Sequence, residues 1–265
     1  MESLLALLAA GFVFLALMMV AVWLLSLVLR NAGIVDVAWS ASFLPVVLAY
    51  VWLADGWTTR DLVLASIVGL WSLRLAWFLL VRVAREHPTE DSRYARLRRE
   101  WGASANVKML GFFQVQAVAA LLLTVPFAIA ALNATAAVHP LEWAGLIVWA
   151  IGLAGETTAD WQLARFRARP QNKGQVCQDG LWRYSRHPNY FFEWVIWCGF
   201  GLFALGSPGG WMGLFVVPMM FYVMRYGTGV PYAEASSLAS RGDAYRAYQR
   251  TTNVFFPGPR RAPVS

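Results

Sequence analysis

Charge is what this 265-residue chain has least of. Asp, Glu, Lys and Arg make up 14% of it, against 58% of hydrophobic types. A soluble domain carries roughly 25% charge, so too little is present here to solvate a surface in water. Cysteine is nearly absent too. Cys177 and Cys198 are the only two; they build no disulfide framework and no repeated Cys/His metal spacing. Both read as ordinary thiols, the first cytosolic and the second within the membrane. Histidine is equally sparse, and His87 and His139 each precede a proline, which reads as loop or turn. No Gly-x-Gly-x-x-Gly follows a strand, and there is no P-loop and no His-Glu-x-x-His. No internal repeat is visible, which argues against a transporter built from paired broken helices.

What the chain does have is long apolar runs and 14 Trp, a residue that collects at the two membrane interfaces. A spanning helix needs about 20 mostly apolar residues. Seven segments fit this reading: Leu4–Leu29, Ile34–Leu53, Leu62–Val81, Met109–Leu132, Leu141–Asp160, Tyr190–Leu205 and Trp211–Tyr226. The first lacks a basic leader and a small-residue cleavage site, so it reads as an anchor. Numbering the connections alternately puts all the 22 Lys and Arg except Arg60 and Arg74 on one side. The positive-inside rule then places that side and the C-terminus in the cytosol, with the N-terminus outside. The expectation is an all-α, seven-helix polytopic membrane protein. It forms one membrane domain over 1–265, with a three-helix part at 1–108 and a second part at 109–265. The net charge of +7 needs no nucleic acid; anionic lipid headgroups account for it, with a phosphate-bearing ligand as the further possibility. No obligate protein partner is evident.

Ionisable residues at membrane depth are costly and point to function unless they pair quietly. Those residues are Asp36, Arg74, Glu156, Asp160 and Glu193. Asp36 stands one turn into the second span, where an acid also simply favours a helix start. Arg74 is deeper, and a structural pairing with a carboxylate competes with a ligand role. Glu156, Asp160 and Arg167 recur at spacings of four and seven, which lines one face of a helix running out of the fifth span; Gln162 falls off that face. The segment Asp179-Gly180-Leu181-Trp182-Arg183-Tyr184-Ser185-Arg186-His187-Pro188-Asn189-Tyr190 then gathers Arg, His, Tyr and Asn at the mouth of the sixth span. Arginines beside hydrogen-bonding side chains suit phosphate and ribose recognition. A membrane-surface basic loop would explain the arginines, but not the His-Pro-Asn-Tyr order. Asp91, Arg93 and Tyr94 form a polar cluster whose default reading is a solvated charged face. The tail offers Tyr245, Tyr248 and Phe255-Phe256 as docking residues.

From Gly180 through Phe191-Phe192-Glu193 the sequence closely resembles the bacterial branch of the steroid 5α-reductase C-terminal-domain family. Val35-Asp36-x-x-Trp39, Arg74-Leu75, Glu90-Asp91-x-Arg93-Tyr94, Asp160-x-Gln162 with Phe166-Arg167, and Tyr245-x-x-Tyr248 match as well. The resemblance implies a seven-helix reductase in a bacterial inner membrane, with its active site facing the cytosol. It implies NADPH as cofactor, contacted by Asp160, Arg167 and Asn189. With them, Glu156, Arg183, Tyr184, Arg186, His187, Tyr190 and Glu193 complete the expected cofactor-binding set in 109–265. Hydride would pass to a carbon–carbon double bond conjugated to a carbonyl in a lipid-like or steroid-like substrate. Two departures stand out. Phe192 replaces the usual Gly before Glu193 and is expected to tighten the pocket wall, and Glu156 stands where eukaryotic steroid reductases carry Asn. The Gln-Glu pair that grips the steroid ketone is not evident in the second span.

An acid beside the substrate carbonyl stabilises the developing enolate, and a buried carboxyl can stay protonated to act as that donor. Asp36 is the first candidate, with Tyr94 or Arg74 as alternatives. The rival enzyme reading is an S-adenosylmethionine-dependent membrane methyltransferase of the isoprenylcysteine type, which shares an Arg-His-Pro-x-Tyr segment. That cofactor has no phosphates, so the surrounding arginines favour the reductase.

Overall fold

The computed structural model describes residues 1–262, and every regular element among them is helical. In chain order they are α1 (Glu2–Leu29), α2 (Ile34–Ala41), α3 (Phe43–Leu53), α4 (Thr58–Glu86), α5 (Ser92–Trp101), α6 (Ala105–Ala131), α7 (Pro140–Arg167), α8 (Pro188–Leu205), α9 (Val216–Tyr226) and α10 (Val230–Thr251). Four stretches, Glu2–Leu29, Ile34–Leu53, Thr58–Glu86 and Ser92–Ala131, are long and apolar enough to cross a membrane. The chain is an integral membrane protein.

Helix ends follow local chemistry. The second apolar run breaks at Ser42. Pro45 has no N–H to return to the carbonyl of Ala41, and the proline ring crowds it. His139 caps α7: its Nδ1 accepts from the Leu141 amide at 3.2 Å, while Glu142 accepts from the His139 amide at 2.8 Å. That is the turn role its Pro140 neighbour predicts. The seventh expected span is not one full helix. A 3₁₀ turn at Gly210–Gly213 precedes α9, which has 11 residues; these extend roughly 17 Å at 1.5 Å per residue.

The chain divides into two compact units. Unit 1 is Met1–Val138 with Ser207–Gly213, and unit 2 is His139–Gly206 with the segment from Leu214 on. The fourth long helix, α6, therefore lies in unit 1 with the first three. The reason is packing: α6 lies along α1 and also meets α3 and α4. Inside unit 1 the buried Tyr50 hydroxyl is 2.9 Å from Thr124 Oγ1, so neither is left without a partner in an apolar interior. Arg60, 3% exposed, donates to the carbonyls of Asn133, Thr135 and Ala137 at 2.7–2.9 Å. It gathers the loop that follows α6, giving three loop carbonyls a partner.

Unit 2 is built on the α7–α8 pair, where small residues let the backbones approach. A Cβ at Gly199 would lie 2.6 Å from the Trp149 amide nitrogen, and one at Gly145 2.5 Å from the Phe203 nitrogen. Backbone atoms cannot move aside as a flexible side chain would. The expected outcome for Gly199→Ala is a loss of about 1–3 kcal/mol from overpacking, read as a lower melting temperature in detergent. An unchanged melting temperature would show that the two helices part freely.

Candidate active site

Two polar clusters stand out, one in each unit. In unit 2 the last turns of α7 hold the turn that leads into α8. Gln162 Oε1 accepts from the Leu181 amide at 2.9 Å, and the Trp182 indole donates to the Ala159 carbonyl at 2.9 Å. Gly180 sits at φ +56°, with the Gln162 amide packed where a Cβ would stand; glycine is required there. Gln162 is thus a loop anchor, which its position off the Glu156/Asp160 face allows. Glu156 and Asp160 are buried and Arg167 is exposed as α7 runs outward. Asn189, in the first turn of α8, reaches Asp160 Oδ1 at 3.4 Å through its amide nitrogen. Its Oδ1 is buried and has no hydrogen-bond partner.

Arg183 and Arg186 look alike in sequence and differ in the structure. Arg183 is exposed. Arg186 is spent inside the protein: it donates to Glu234 Oε1 at 2.7 Å, to the Gln249 carbonyl at 3.1 Å and to the Thr252 carbonyl at 2.7 Å. It does not present the open fork that phosphate recognition asks of it. Tyr184 is exposed, and its carbonyl accepts from the Gly258 amide at 3.1 Å. His187 is buried, stacks on Tyr190 at 5.5 Å between ring centres, and lies 3.4 Å from Glu234 Oε1. Glu193 accepts from the Trp197 indole one turn on at 3.0 Å. The Phe192 ring covers Gly155, standing where a Cβ on that residue would be; the bulk that departs from the family pattern rests on a residue without a side chain.

The tail ties this arrangement down. Ser185 Oγ donates to the Phe255 carbonyl at 2.7 Å, and the Tyr248 hydroxyl donates to the Trp182 carbonyl. Phe255 and Phe256 pack with Phe191, Trp194 and Phe221. Glu234, which sequence reasoning passed over, joins the tail to Arg186 and His187. Its signal was faint: it is one of two acids after Gly227, the other being Asp243. Trp161, Gln162, Arg165 and Phe166 of α7, with Arg169 just beyond it and Asp179 and Gly180 of the turn, line a recess of about 330 Å³, with Arg165 over the Trp161 ring.

In unit 1, two of the residues read as proton-donor candidates touch. The Tyr94 hydroxyl donates to Asp36 Oδ1 at 2.6 Å, and Arg93 donates to Asp36 Oδ2 at 2.7 Å. Both oxygens of Asp36 are acceptors, so the hydrogen-bond donor of the pair is Tyr94. Arg74 lies half-buried in mid-α4. Asp91, Arg93 and Tyr94 do not form a solvated face: Tyr94 is 2% exposed and edges Phe112 at 6.2 Å.

A family described as "Protein of unknown function (DUF1295)" matches residues 22–252. This chain belongs to that family. Among curated proteins it is similar to 3-oxo-5-alpha-steroid 4-dehydrogenase 1 of Mus musculus, at 30% identity over 83 residues, 31% of this chain and 32% of the relative. The protein of the same name from Rattus norvegicus is 30% identical over 79 residues, 30% of each chain. The match thus spans about a third of these relatives' length. No solved structure matches significantly.

The Glu234 contacts have a pH consequence. Burial pushes the Glu234 carboxyl up, but hydrogen bonds from His187 and Arg186 and the Arg186 charge outweigh it and hold it at about 2. Burial also pushes His187 down, against the pull of Glu234, which favours the neutral ring. A depressed carboxyl stabilises the fold fully above its ordinary value of 4.5, and that contribution is lost as pH falls towards about 2. A depressed histidine likewise costs stability as pH falls below 6.5. Glu234→Gln is therefore expected to lose about 1.5–3 kcal/mol at pH 7, the scale of a charge-assisted hydrogen bond. Its difference from wild type should shrink below pH 4.5 in thermal melts. A difference as large at pH 3 as at pH 7 would remove the carboxylate from the account.

Proposed function

We propose that this chain is a membrane-embedded, NADPH-dependent reductase that saturates the carbon–carbon double bond of a lipid-like enone. The observation that carries the reading is Asn189 Oδ1, a buried acceptor with no partner, beside Asp160. A buried acceptor left unmade costs free energy; a ligand amide, such as a nicotinamide carboxamide, supplies the missing N–H. The exposed guanidinium of Arg183 offers the planar fork a phosphate takes, and Arg167 is exposed on the same unit. These residues fit a ligand that carries both amide and phosphates. S-adenosylmethionine has no phosphates, so it leaves Arg183 unexplained. The one-third-length similarity to steroid 4-dehydrogenases supports the reductase class.

When bound, the dihydronicotinamide supplies hydride to the β carbon of the enone and leaves oxidised. Negative charge then develops on the substrate carbonyl oxygen, and a placed O–H stabilises it. In this proposal Tyr94 is that donor, in place of Asp36, whose oxygens accept from Tyr94 and Arg93; the single Tyr94 O–H, held on Asp36 Oδ1 before substrate binds, turns to the substrate oxygen as its charge develops. Asp36 orients the phenol; the Tyr94 proton passes to the enolate oxygen, the enol so formed tautomerises to the saturated ketone, and a proton from water restores the phenol. Apolar substrate reaches such a protein through lipid, and hydrocarbon excludes the water that would compete for charge stabilisation.

Titration of the purified protein with NADPH and, separately, with S-adenosylmethionine tests the cofactor. NADPH should bind and S-adenosylmethionine should not; the reverse result returns the methyltransferase. Arg183→Ala should weaken NADPH by about 1.5–3 kcal/mol for one charge-assisted bond, with Arg183→Lys recovering part. Arg186→Ala should instead lower the melting temperature, since its partners are Glu234, Gln249 and Thr252.

In this proposal seven crossings, the last made by the 3₁₀ turn at Gly210–Gly213 together with α9, put the basic side in the cytosol. A reporter inserted at Gly56 should then be external and one fused after Ser265 cytosolic. A cytosolic Gly56 reporter would reverse the orientation.

A further inference from the structure

In unit 1 two aspartates and two arginines close into a charge-neutral quartet around the acceptor of Tyr94. Arg93 forks onto Asp91, Nε to Oδ1 at 3.0 Å and Nη2 to Oδ2 at 3.1 Å. The same Nη2 reaches Asp36 Oδ2 at 2.7 Å. Arg82 Nη2 lies 3.1 Å from Asp91 Oδ2 and 3.8 Å from Asp36 Oδ2. The remaining Asp36 oxygen takes the Tyr94 hydroxyl at 2.6 Å. Asp91 also caps α5 by accepting from the Arg93 amide at 2.9 Å, so it fixes both the backbone and the side chain of the residue next to Tyr94. Its neighbour Glu90 holds the Ala32 amide at 2.8 Å and Arg98 at 3.0 and 3.1 Å. Ala32 lies just before α2, so Glu90 anchors the helix start that carries Asp36.

Stability alone accounts poorly for this quartet. Side chains of Arg82 and Arg93 are 36% and 34% exposed, and ion pairs of that exposure are worth only about 0–1 kcal/mol. Orientation accounts for it better. Nη2 of the Asp91 fork has a second N–H, and that one meets the one Asp36 oxygen that Tyr94 does not use. We propose that Asp91 and Arg93 are positioning residues for the proton donor, holding Asp36 with one oxygen reserved for the Tyr94 hydroxyl; this rests on Tyr94 as the donor of the proposed reduction. Without the Asp91 charge, two guanidiniums share the single carboxylate of Asp36. They compete with the phenol for its oxygens, and Tyr94 loses its orientation. Lysine in place of Arg93 keeps the charge but lacks the fork that spans two carboxylates, so it should not restore function.

The test compares wild type, Asp91→Asn, Tyr94→Phe and the double variant in single-turnover oxidation of NADPH with a steroid 4-en-3-one as probe. Asp91→Asn should slow turnover ten- to a hundredfold with NADPH affinity unchanged, and should add nothing in the Tyr94→Phe background. Losses that multiply in the double variant overturn the inference, because a merely structural residue would act regardless of Tyr94. A second readout needs no turnover: the ¹³Cζ resonance of Tyr94 in protein labelled at tyrosine, assigned by its absence in Tyr94→Phe. Asp91→Asn should shift it in the same direction as Asp36→Asn, and an unmoved resonance overturns the positioning role. If Tyr94→Phe turns over at the wild-type rate, the donor assignment falls, and the resonance alone then decides whether Asp91 positions the phenol.

Discussion

Hydrocarbon offers no hydrogen bonds, and the placement of polar side chains in this chain follows from that constraint. The long helices carry few charges, and the polar clusters sit at their breaks. Glu90 and Asp91 occupy the turn between α4 and α5, Ala32 the break between α1 and α2 with Asp36 in the first turn of α2, and Arg183 to His187 the turn into α8 with Asn189 in its first turn. A helix start has unsatisfied N–H groups, and a helix end has unsatisfied carbonyls. Arg60 shows a similar demand met in the loop after α6, where one guanidinium serves three carbonyls. Chemistry in such a protein is confined to places where the backbone already has to find partners.

How far the sequence anticipated this depends on the kind of interaction. Helix positions were legible because a run of apolar residues admits little else at this length, and Pro45, Pro140 and Pro188 mark their breaks or starts. The short α9 was not legible: Trp211–Tyr226 is as apolar as a span, but Gly210 and Gly213 turn the chain before the helix begins. The grouping of α6 with α1 was also hidden, since it depends on which faces pack and not on hydropathy. In the candidate site, spacing placed Glu156, Asp160 and Arg167 on one helix face and drew attention to Asn189. Spacing could not separate Arg183 from Arg186. Their difference lies in Glu234, about fifty residues away, and nothing local announces a partner at that separation.

The same blindness explains Asp36. A lone acid in an apolar run invites a reading as a buried, protonated donor. The structure supplies two guanidiniums and a phenol from segments 46 to 58 residues later, and these make it an acceptor. In the proposed reduction the proton-bearing role passes to Tyr94, which the sequence held in reserve. The motif Glu90-Asp91-x-Arg93-Tyr94 then reads as a unit: two carboxylates, a fork and a phenol delivered by five consecutive residues to the start of α2.

That economy has a physical reason. A phenol aimed by its own backbone alone keeps its χ freedom, and each rotamer-rich side chain costs free energy to order. Here the ordering is shared: the Asp91 side chain caps α5, the Arg93 fork is fixed on Asp91, and only the last link reaches across to Asp36. A change at any link passes to the next without unfolding a helix, because the helices themselves are held by apolar packing and by backbone hydrogen bonds. The tail plays the corresponding part in unit 2, where Tyr248, Phe255 and Glu234 hold the turn that presents Arg183 and Asn189. In unit 2 the atoms proposed to meet a ligand are those left over once the others have been paired, which is why an unpartnered buried oxygen on Asn189 carries more functional information than a well-bonded arginine.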